Sequence, residues 1–402
     1  MYLNKTLAEI LTISTFIRAL DAESPQETIR DTLYKEILTK IYRLADDYRS
    51  HENLENAVEA FNRDTSFKIN SLKAHYTTAQ DLPKGWSSLE KKPDEISISK
   101  IFIHTYLCPN PLPWSFDLLT SLSGTHLFHS LQLKHSQTIQ VLGLGKYENQ
   151  QNPYILVAES HSRGERLSSY YTKALKGENS PISEGKEKAI HLTKKVSLAL
   201  VELHKKKTGE TRVWPNIKTS KLKNFVEQLL SYIRHKATDI HIQKIEDYAS
   251  SCINDASTEP YQMSYTHGDI SFTNLLYNEQ KDSLCFIDLS TASNSIDREG
   301  NPIGYPPYDY CSFEFELLLR LSSHGIDPNI ISELVSTFEN SYSSLGGTLP
   351  NPKHHRWNMF YISCSRLRQV MRFCNDKPPE KGRGYYKAYS FLIEYLQKTL
   401  SS

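Results

Sequence analysis

The chain has 402 residues, 23% of them charged and 39% hydrophobic, which is typical of a soluble globular protein with more than one structural unit. A formal net charge of +1 excludes a strong general attraction to nucleic acid or to an anionic membrane. No apolar stretch is long enough to span a membrane, and Lys5, Glu9 and Arg18 argue against a signal peptide. The six cysteines lack the spacing of a disulfide framework or a zinc site. We therefore expect a cytoplasmic protein that binds neither nucleic acid nor membranes.

Residues 1–62 are predicted to form an N-terminal helical segment. Ser24 is a helix cap, Pro25 suits the first turn, and Glu27 completes a capping box. Apolar residues then recur every three or four positions as far as Tyr48, which gives one apolar helix face. We expect this face to pack on the neighbouring domain. A protein partner bound through these helices is the alternative.

Residues 63–160 are predicted to form a small mixed α/β unit. Short runs rich in Ile and Tyr alternate between apolar and polar residues at 66–76 and 95–107, as strands do. A leucine-rich segment follows, and then IQVLGLGKY and NPYILVAES indicate two strands joined by a polar turn.

Residues 161–402 are predicted to be mainly helical. Apolar residues at helical spacing end in Leu203-His204, and a basic run of lysines follows. Cations suit a helix C-terminus because the last carbonyl groups carry partial negative charge. The far end of the chain, from residue 313, again has helical spacing. The sequence thus predicts an α+β protein.

The segment 264–292 carries the residues best suited to chemistry. Two apolar runs, LLY and SLCFID, flank a polar turn and predict a hairpin. Asp269, Asn274 and Asp288 lie at loop and strand ends, where side chains from different elements can converge. Phosphoryl transfer requires a carboxylate that takes the proton of the acceptor hydroxyl, and hard oxygen ligands that hold Mg²⁺ on the phosphates. One Asp base, one Asn and a second Asp are a sufficient set, and protein kinases space their base and Asn five residues apart.

The same segment resembles a known family. The residues that carry the resemblance are His267-Gly268-Asp269, Asn274, Ile287-Asp288 and Ala292. They are similar to the HGDxxxxN and IDxxxA patterns of the aminoglycoside phosphotransferase and choline kinase-like family. The resemblance implies a bilobal protein kinase-like fold that uses ATP and Mg²⁺, with Asp269 as catalytic base and Asn274 and Asp288 as metal ligands. His267 would brace the loop. The lobes implied are a nucleotide-binding one at 63–160 and a helical catalytic one at 161–402.

Other segments follow the family's order, and the resemblance covers about residues 95–320. The strand ending in Glu159 and Ser160 is similar to the hinge strand, whose backbone would meet adenine. The segment 304–313 resembles the one whose Asp, here Asp309, joins the catalytic loop to the helical lobe.

The nucleotide-binding half departs from the pattern. The family's Lys on the third strand, which holds the phosphates, is replaced in the best-matching strand by His104, and Lys100 lies on the same face by alternation. We treat both as candidate phosphate contacts. There is no GxGxxG loop. Gly268 stands where protein kinases carry an Arg, which favours the branch that phosphorylates small molecules.

The sequence therefore predicts a phosphotransferase that moves the γ-phosphate of ATP to a hydroxyl of a small molecule, such as a sugar, an amino alcohol or an aminoglycoside-like compound. Two alternatives stay open: a kinase-fold pseudoenzyme that binds or scaffolds partners, and a kinase or nucleotidyl transferase that acts on a protein. No motif in the sequence specifies one acceptor. Glu314 and Glu316 are predicted to form only a helix face. A group of late arginines could serve an anionic acceptor, although we favour solvated helix surface; these are Arg356, Arg366, Arg368 and Arg372.

Overall fold

The computed structural model of the chain describes part of its length. The described ranges are 68–69, 89–90, 101–107, 113–139, 141–148, 153–160, 164–177, 181–213, 242–297, 299–374, 379 and 384–400. The chain divides into two compact units, the first within 1–164 and 278–301 and the second within 165–277 and 302–402. The predicted helical segment at 1–62 and Lys100 lie outside the described residues. The predicted domain boundaries at 62 and 160 stay predictions.

Strands and helices are numbered here in chain order. The strands are β1 (Lys68–Ile69), β2 (Leu89–Glu90), β3 (Ile101–Leu107), β4 (Ser136–Thr138), β5 (Val141–Glu148), β6 (Pro153–Ser160), β7 (Glu165–Arg166), β8 (Thr208–Val213), β9 (Pro260–Ser264), β10 (Leu275–Asn278) and β11 (Ser283–Phe286). The helices are α1 (Pro113–Leu131), α2 (Leu167–Lys176), α3 (Ile182–Lys205), α4 (Ile242–Ala256), α5 (Pro306–Ser323), α6 (Pro328–Ser344), α7 (Pro352–Phe373) and α8 (Tyr386–Thr399).

The first unit contains a three-stranded antiparallel sheet with β6 in the centre, between β3 and β5. The register places His104 opposite Val157, and Glu159 opposite both Phe102 and Val141. The two strands predicted from IQVLGLGKY and NPYILVAES are present as β5 and β6. In the same unit β11 pairs with β4 in parallel, and β1 pairs with β2.

Helix α1 packs closely on the turn that follows β11. This turn is a 3-10 segment at Leu289–Ser295, and Gly124 of α1 lies against it. A Cβ atom at Gly124 would lie 1.7 Å from the carbonyl oxygen of Leu289, so only glycine allows the approach. Phe128 adds an edge-on contact with Phe286, with ring centroids 5.6 Å apart. The leucine-rich segment is thus a helix that holds the turn after β11 in place.

The second unit is mainly helical. Helix α3 packs on α2 and α6, while α5 packs on α6, α7 and α8. The core between them is largely aromatic, and Phe313, Phe315 and Phe338 are fully buried. Helix α5 begins with Pro306 and Pro307 in its first turn, a position that tolerates proline because its N–H would have no helical partner.

These elements confirm the predicted α+β class, with one small unit of mixed strands and one mainly helical unit. In the described part of the chain, no helix combines the length and apolar character needed to cross a membrane.

Candidate active site

The loop between β9 and β10 is bonded to α5 through one buried carboxylate. Gly268 has φ of 78°, in the left-handed region that favours glycine. The backbone N–H groups of His267 and Gly268 donate to Asp309, the first to Oδ2 at 2.7 Å and the second to Oδ1 at 2.8 Å. Asp309 has no exposed surface. The contact between Asp309 and the loop that the sequence implied is therefore present.

Asp269 and Asn274 lie together in this loop. The Asn274 side-chain amide donates to the backbone oxygen of Asp269 at 2.9 Å and to its carboxylate Oδ2 at 3.0 Å. Because both acceptors are oxygens, the amide nitrogen of Asn274 faces Asp269. The Oδ1 atom of Asn274 accepts a long hydrogen bond from the Thr273 hydroxyl at 3.4 Å. The backbone N–H of Asp269 donates to Nδ1 of His267 at 3.3 Å. The Asp269 side chain is 41% exposed, so its carboxylate can reach a ligand.

A second buried carboxylate, Glu316 of α5, supports the other half of the loop. Its Oε2 accepts from the backbone N–H of Phe272 at 3.3 Å and from Nε of Arg320 at 3.1 Å. Its Oε1 lies 3.1 Å from Nε of Arg366. Arg366 in turn places Nη2 3.9 Å from Asp269 Oδ1. Burial alone would lower the pKa of Arg366, but the carboxylates of Glu316 and Asp269 more than offset this, so the pKa is raised and the guanidinium is charged.

The helix end Leu203-His204 contacts the same support. His204 is buried, with Nδ1 2.7 Å from the Tyr342 hydroxyl and Nε2 3.4 Å from Asp309 Oδ2. Its backbone oxygen accepts a hydrogen bond from Ser264 at the end of β9. Burial raises the pKa of Tyr342, so this phenol stays protonated. His204 therefore links α3 and α6 to the carboxylate that holds the loop.

Asp288 belongs to the first unit and follows β11. Its φ of 56° is left-handed, a conformation that Asp and Asn adopt more readily than other residues with side chains. The side chain is exposed, and its Oδ1 accepts from Ser290 at 3.4 Å. The next residue, Leu289, is buried and holds the backbone, so Asp288 is a fixed position with an accessible carboxylate.

The residues predicted for the nucleotide-binding half are described only in part. His104 lies in β3, and Glu159 and Ser160 end β6, so the structure describes them as backbone positions. Lys100 lies outside the described residues. Their roles toward a nucleotide stay predictions.

Two expectations about the late helices are wrong. Glu316 is not an exposed helix face: it is fully buried and accepts a hydrogen bond from the loop between β9 and β10. Arg366 is not solvated surface either, since its side chain is only 15% exposed. The burial of Glu316 could have been predicted from its spacing along α5. Glu316 follows Asp309 by seven residues and precedes Arg320 by four, and residues at these spacings share one helix face.

A separate polar cluster lies on the opposite part of α5. Glu314, predicted as plain helix face, is 12% exposed and accepts from Nε2 of His355 at 2.7 Å. In the described part of the chain, Cys311, Glu314 and His355 bring ligand-type atoms within 4.8 Å of one another. Burial raises the pKa of the Cys311 thiol well above its usual value, which disfavours the thiolate a metal needs. The cluster is an ion pair beside a neutral thiol.

The Glu314–His355 pair predicts a pH-dependent stability. Burial lowers the pKa of His355, but Glu314 outweighs it and the folded pKa is raised. The pair therefore stabilises the fold below the unfolded His pKa of about 6.5, and this contribution is lost as pH rises through the folded pKa. Since His355 is 37% exposed, we expect the pair to stabilise the fold by no more than about 1 kcal/mol.

Urea unfolding at pH 5.5 and pH 8 measures this contribution. The His355→Gln variant should lack the pH-dependent part of the free energy of unfolding that the pair contributes. A variant with the same pH profile as the unmodified protein would refute the role of the pair.

No protein-family model matches the chain, and no curated protein matches its sequence. Solved structures resemble it at low identity. An aminoglycoside phosphotransferase, studied as a thermostable mutant, is 12% identical with a TM-score of 0.43, covering 78% of this chain and 93% of its own. A choline kinase from Streptococcus pneumoniae is 9% identical with a TM-score of 0.45, covering 87% and 99%. An ethanolamine kinase from Plasmodium vivax is 13% identical with a TM-score of 0.43, covering 92% and 94%.

Proposed function

We propose that this protein is an ATP- and Mg²⁺-dependent phosphotransferase that acts on a hydroxyl group of a small molecule. The observation that supports it is the double hydrogen bond from Asn274 to Asp269, in a loop whose N–H groups are bonded by buried Asp309. This arrangement holds one accessible carboxylate in a fixed position, as in-line phosphoryl transfer requires.

In the proposed reaction Asp269 is the base. Its side chain is 41% exposed, so an acceptor hydroxyl can approach the carboxylate. It accepts the proton of the acceptor hydroxyl as that oxygen bonds to phosphorus and ADP leaves. Asn274 holds Oδ2 of the base, and the Asp309 contacts prevent the loop from turning away. In this proposal the chain positions the carboxylate and accepts the hydroxyl proton. Phosphoryl transfer requires little further covalent chemistry from a protein.

The donor set fits a hard divalent cation. Asn274 uses its amide nitrogen within the loop, so its carbonyl oxygen is the group left for a metal, and Asp288 offers an exposed carboxylate. Oxygen ligands of this kind suit Mg²⁺. When bound, Mg²⁺ would neutralise charge on the nucleotide phosphates. We propose Asn274 and Asp288 as its ligands. For the nucleotide, we propose the backbone at Glu159 and Ser160, with His104 or Lys100 toward the phosphates.

Asp288→Asn tests the metal assignment. Asparagine tolerates the left-handed backbone of this position, so the change removes charge without strain. We expect the affinity for ATP with Mg²⁺ to fall at least as far as the roughly 10–100-fold seen when an outer-shell partner of a metal ligand is lost. Calorimetric titration measures it, and the thermal midpoint checks the fold. An affinity equal to that of the unmodified protein would remove Asp288 from the ligand set.

A thermal-shift titration with ATP and Mg²⁺ separates the enzyme from a scaffold with a decayed nucleotide half. A ligand that binds only the native state must raise its stability. We expect a Mg²⁺-dependent rise, and no shift at millimolar nucleotide would favour the scaffold. The cytoplasmic location and a protein partner at the N-terminal helices stay predictions.

A further inference from the structure

Each oxygen of the Asp269 carboxylate has a contact from a different part of the second unit. Oδ2 accepts a hydrogen bond from the Asn274 amide at 3.0 Å, within the loop itself. Oδ1 lies 3.9 Å from Nη2 of Arg366, which belongs to α7. The outer torsion of an aspartate side chain is broad and roughly two-fold, so one contact leaves the carboxylate able to rotate. Contacts on both oxygens restrict its plane.

The direction of Arg366 Nη2 is set by helices and not by the loop. Nε of Arg366 lies 3.1 Å from Oε1 of Glu316 on α5, and Nη1 donates to Oε1 of Gln369 on α7 at 3.0 Å. A guanidinium is planar and rigid, so the positions of two of its nitrogens determine the position of the third. The Asp269 side chain therefore faces a cation whose position is fixed by the packing of α7 on α5.

The burial of Glu316 does not by itself explain Arg366. Glu316 already accepts from the backbone N–H of Phe272 at 3.3 Å and from Nε of Arg320 at 3.1 Å. Packing does not require a charge here either, because apolar residues of similar volume often replace a buried ion pair without loss of stability. In the described part of the chain, Arg366 differs from Arg320 in its contact with Asp269. The two arginines and the two carboxylates balance in charge, so this contact serves to orient the carboxylate.

We infer that Arg366 is a positioning residue for the base: held by Glu316, it orients the Asp269 carboxylate toward the acceptor hydroxyl. At 3.9 Å the contact is an ion pair and not a hydrogen bond, so Arg366 does not itself take up a lone pair of Oδ1. In-line transfer depends on alignment, since a misplacement of about 1 Å can cost about 100-fold in rate. Because the reaction defines the base, this role rests on the proposed function.

Arg366→Met and Arg366→Lys test the role in the full chain. The first change keeps an apolar stem and removes the charge, whereas the second keeps a charge near Glu316 and loses the planar fork. ADP release is measured at saturating ATP and Mg²⁺, first with water as the acceptor and then with a pool of sugars, hydroxy acids and amino alcohols. We expect kcat to fall about 10–100-fold in Arg366→Met and less in Arg366→Lys. KM for ATP should stay unchanged, because the variants alter the orientation of the base and not the proposed nucleotide site.

Arg356→Met is the matched control on α7. Arg356 pairs with Asp255 of α4, so its replacement removes an arginine and an ion pair of the same helix. We expect this variant to keep the kcat of the unmodified protein. The thermal midpoint of each variant checks the fold.

Glu316→Gln keeps the test readable if the Arg366 variants do not fold. The glutamine side chain can still accept from the Phe272 N–H, but the charge that holds Arg366 is lost, so kcat should again fall. The double variant with Arg366→Met should be no slower than Arg366→Met alone, because residues that act as one unit are not additive. A normal kcat in a folded Glu316→Gln protein would overturn the positioning role.

Three further results would overturn it. They are a normal kcat in Arg366→Met, an equal loss of kcat in Arg356→Met, and a normal kcat with a raised KM for the pool member that gains phosphate. The last would assign Arg366 to direct contact with the acceptor. ADP release that is lost in Asp269→Asn but retained in Arg366→Met would leave the proposed function intact and overturn the positioning role alone. No ADP release by the unmodified chain would overturn the proposed function, and the positioning role with it.

Discussion

Replacing Asp269 with Asn should reduce the rate of phosphoryl transfer by about 10²–10⁴-fold, the range that general-base catalysis contributes. The amide has nearly the shape of the carboxylate and can still meet Asn274, but it cannot accept the hydroxyl proton. We therefore expect a normal thermal midpoint and a normal affinity for ATP with Mg²⁺. Release of ADP in the presence of an acceptor measures the rate.

Asp327→Asn is the matched control for this change. Asp327 caps α6 through the backbone N–H of Asn329 at 2.8 Å, and asparagine caps a helix equally well. The control should keep full activity. An Asp269→Asn protein that turns over at near the normal rate would remove Asp269 as the base.

Replacing Asp309 with Ala should destabilise the second unit by about 2–6 kcal/mol. The change leaves the N–H groups of buried His267 and half-buried Gly268 without their acceptor, and each such group costs about 1–3 kcal/mol. It also removes the group that faces His204 Nε2. Urea unfolding measures the loss of stability. We expect activity to fall as well, because Asp269 directly follows the released segment.

Asp327→Ala provides the comparison for Asp309→Ala. It removes an exposed helix cap, which costs about 1 kcal/mol, and should leave activity intact. If the two alanine variants lost the same stability, Asp309 would not be the buried support described above.

The loop between β9 and β10 was predictable because the proposed chemistry restricts its residues. A carboxylate and an amide five residues apart, followed by a hairpin and a second aspartate, form a pattern that is legible whatever the rest of the chain does. The structure places Asp269 and Asn274 within 3.0 Å. The role of Asp309 was likewise implied, and its two hydrogen bonds to the loop are present.

The surroundings of the base were not predictable in the same way. Arg366 and Glu316 are 50 residues apart in the chain, and Asp269 is a further 47 from Glu316, so only the packing of α7 on α5 brings them together. An arginine on a helix has the same local pattern whether it is solvated or buried beside a carboxylate. The sequence therefore did not reveal the buried ion pairs of Glu316.

In the half predicted to bind nucleotide, the strands were predictable but the contact residues were not. The strands that carry His104 and Glu159 were predicted and are present, because alternation and β-branched residues define them locally. Which side chain contacts the phosphates does not follow from those patterns, since the substitution of the usual Lys leaves no motif to read.

Phosphorus NMR of the products would show whether Asp269-dependent phosphoryl transfer to a hydroxyl takes place. The full chain and Asp269→Asn are each incubated with ATP, Mg²⁺ and pooled hydroxyl compounds that include hydroxy acids and amino alcohols. We expect the unmodified chain to convert ATP to ADP with one phosphate on a hydroxyl compound, and Asp269→Asn not to do so. ATP left intact by both proteins, or a product that carries the nucleotide, would contradict it.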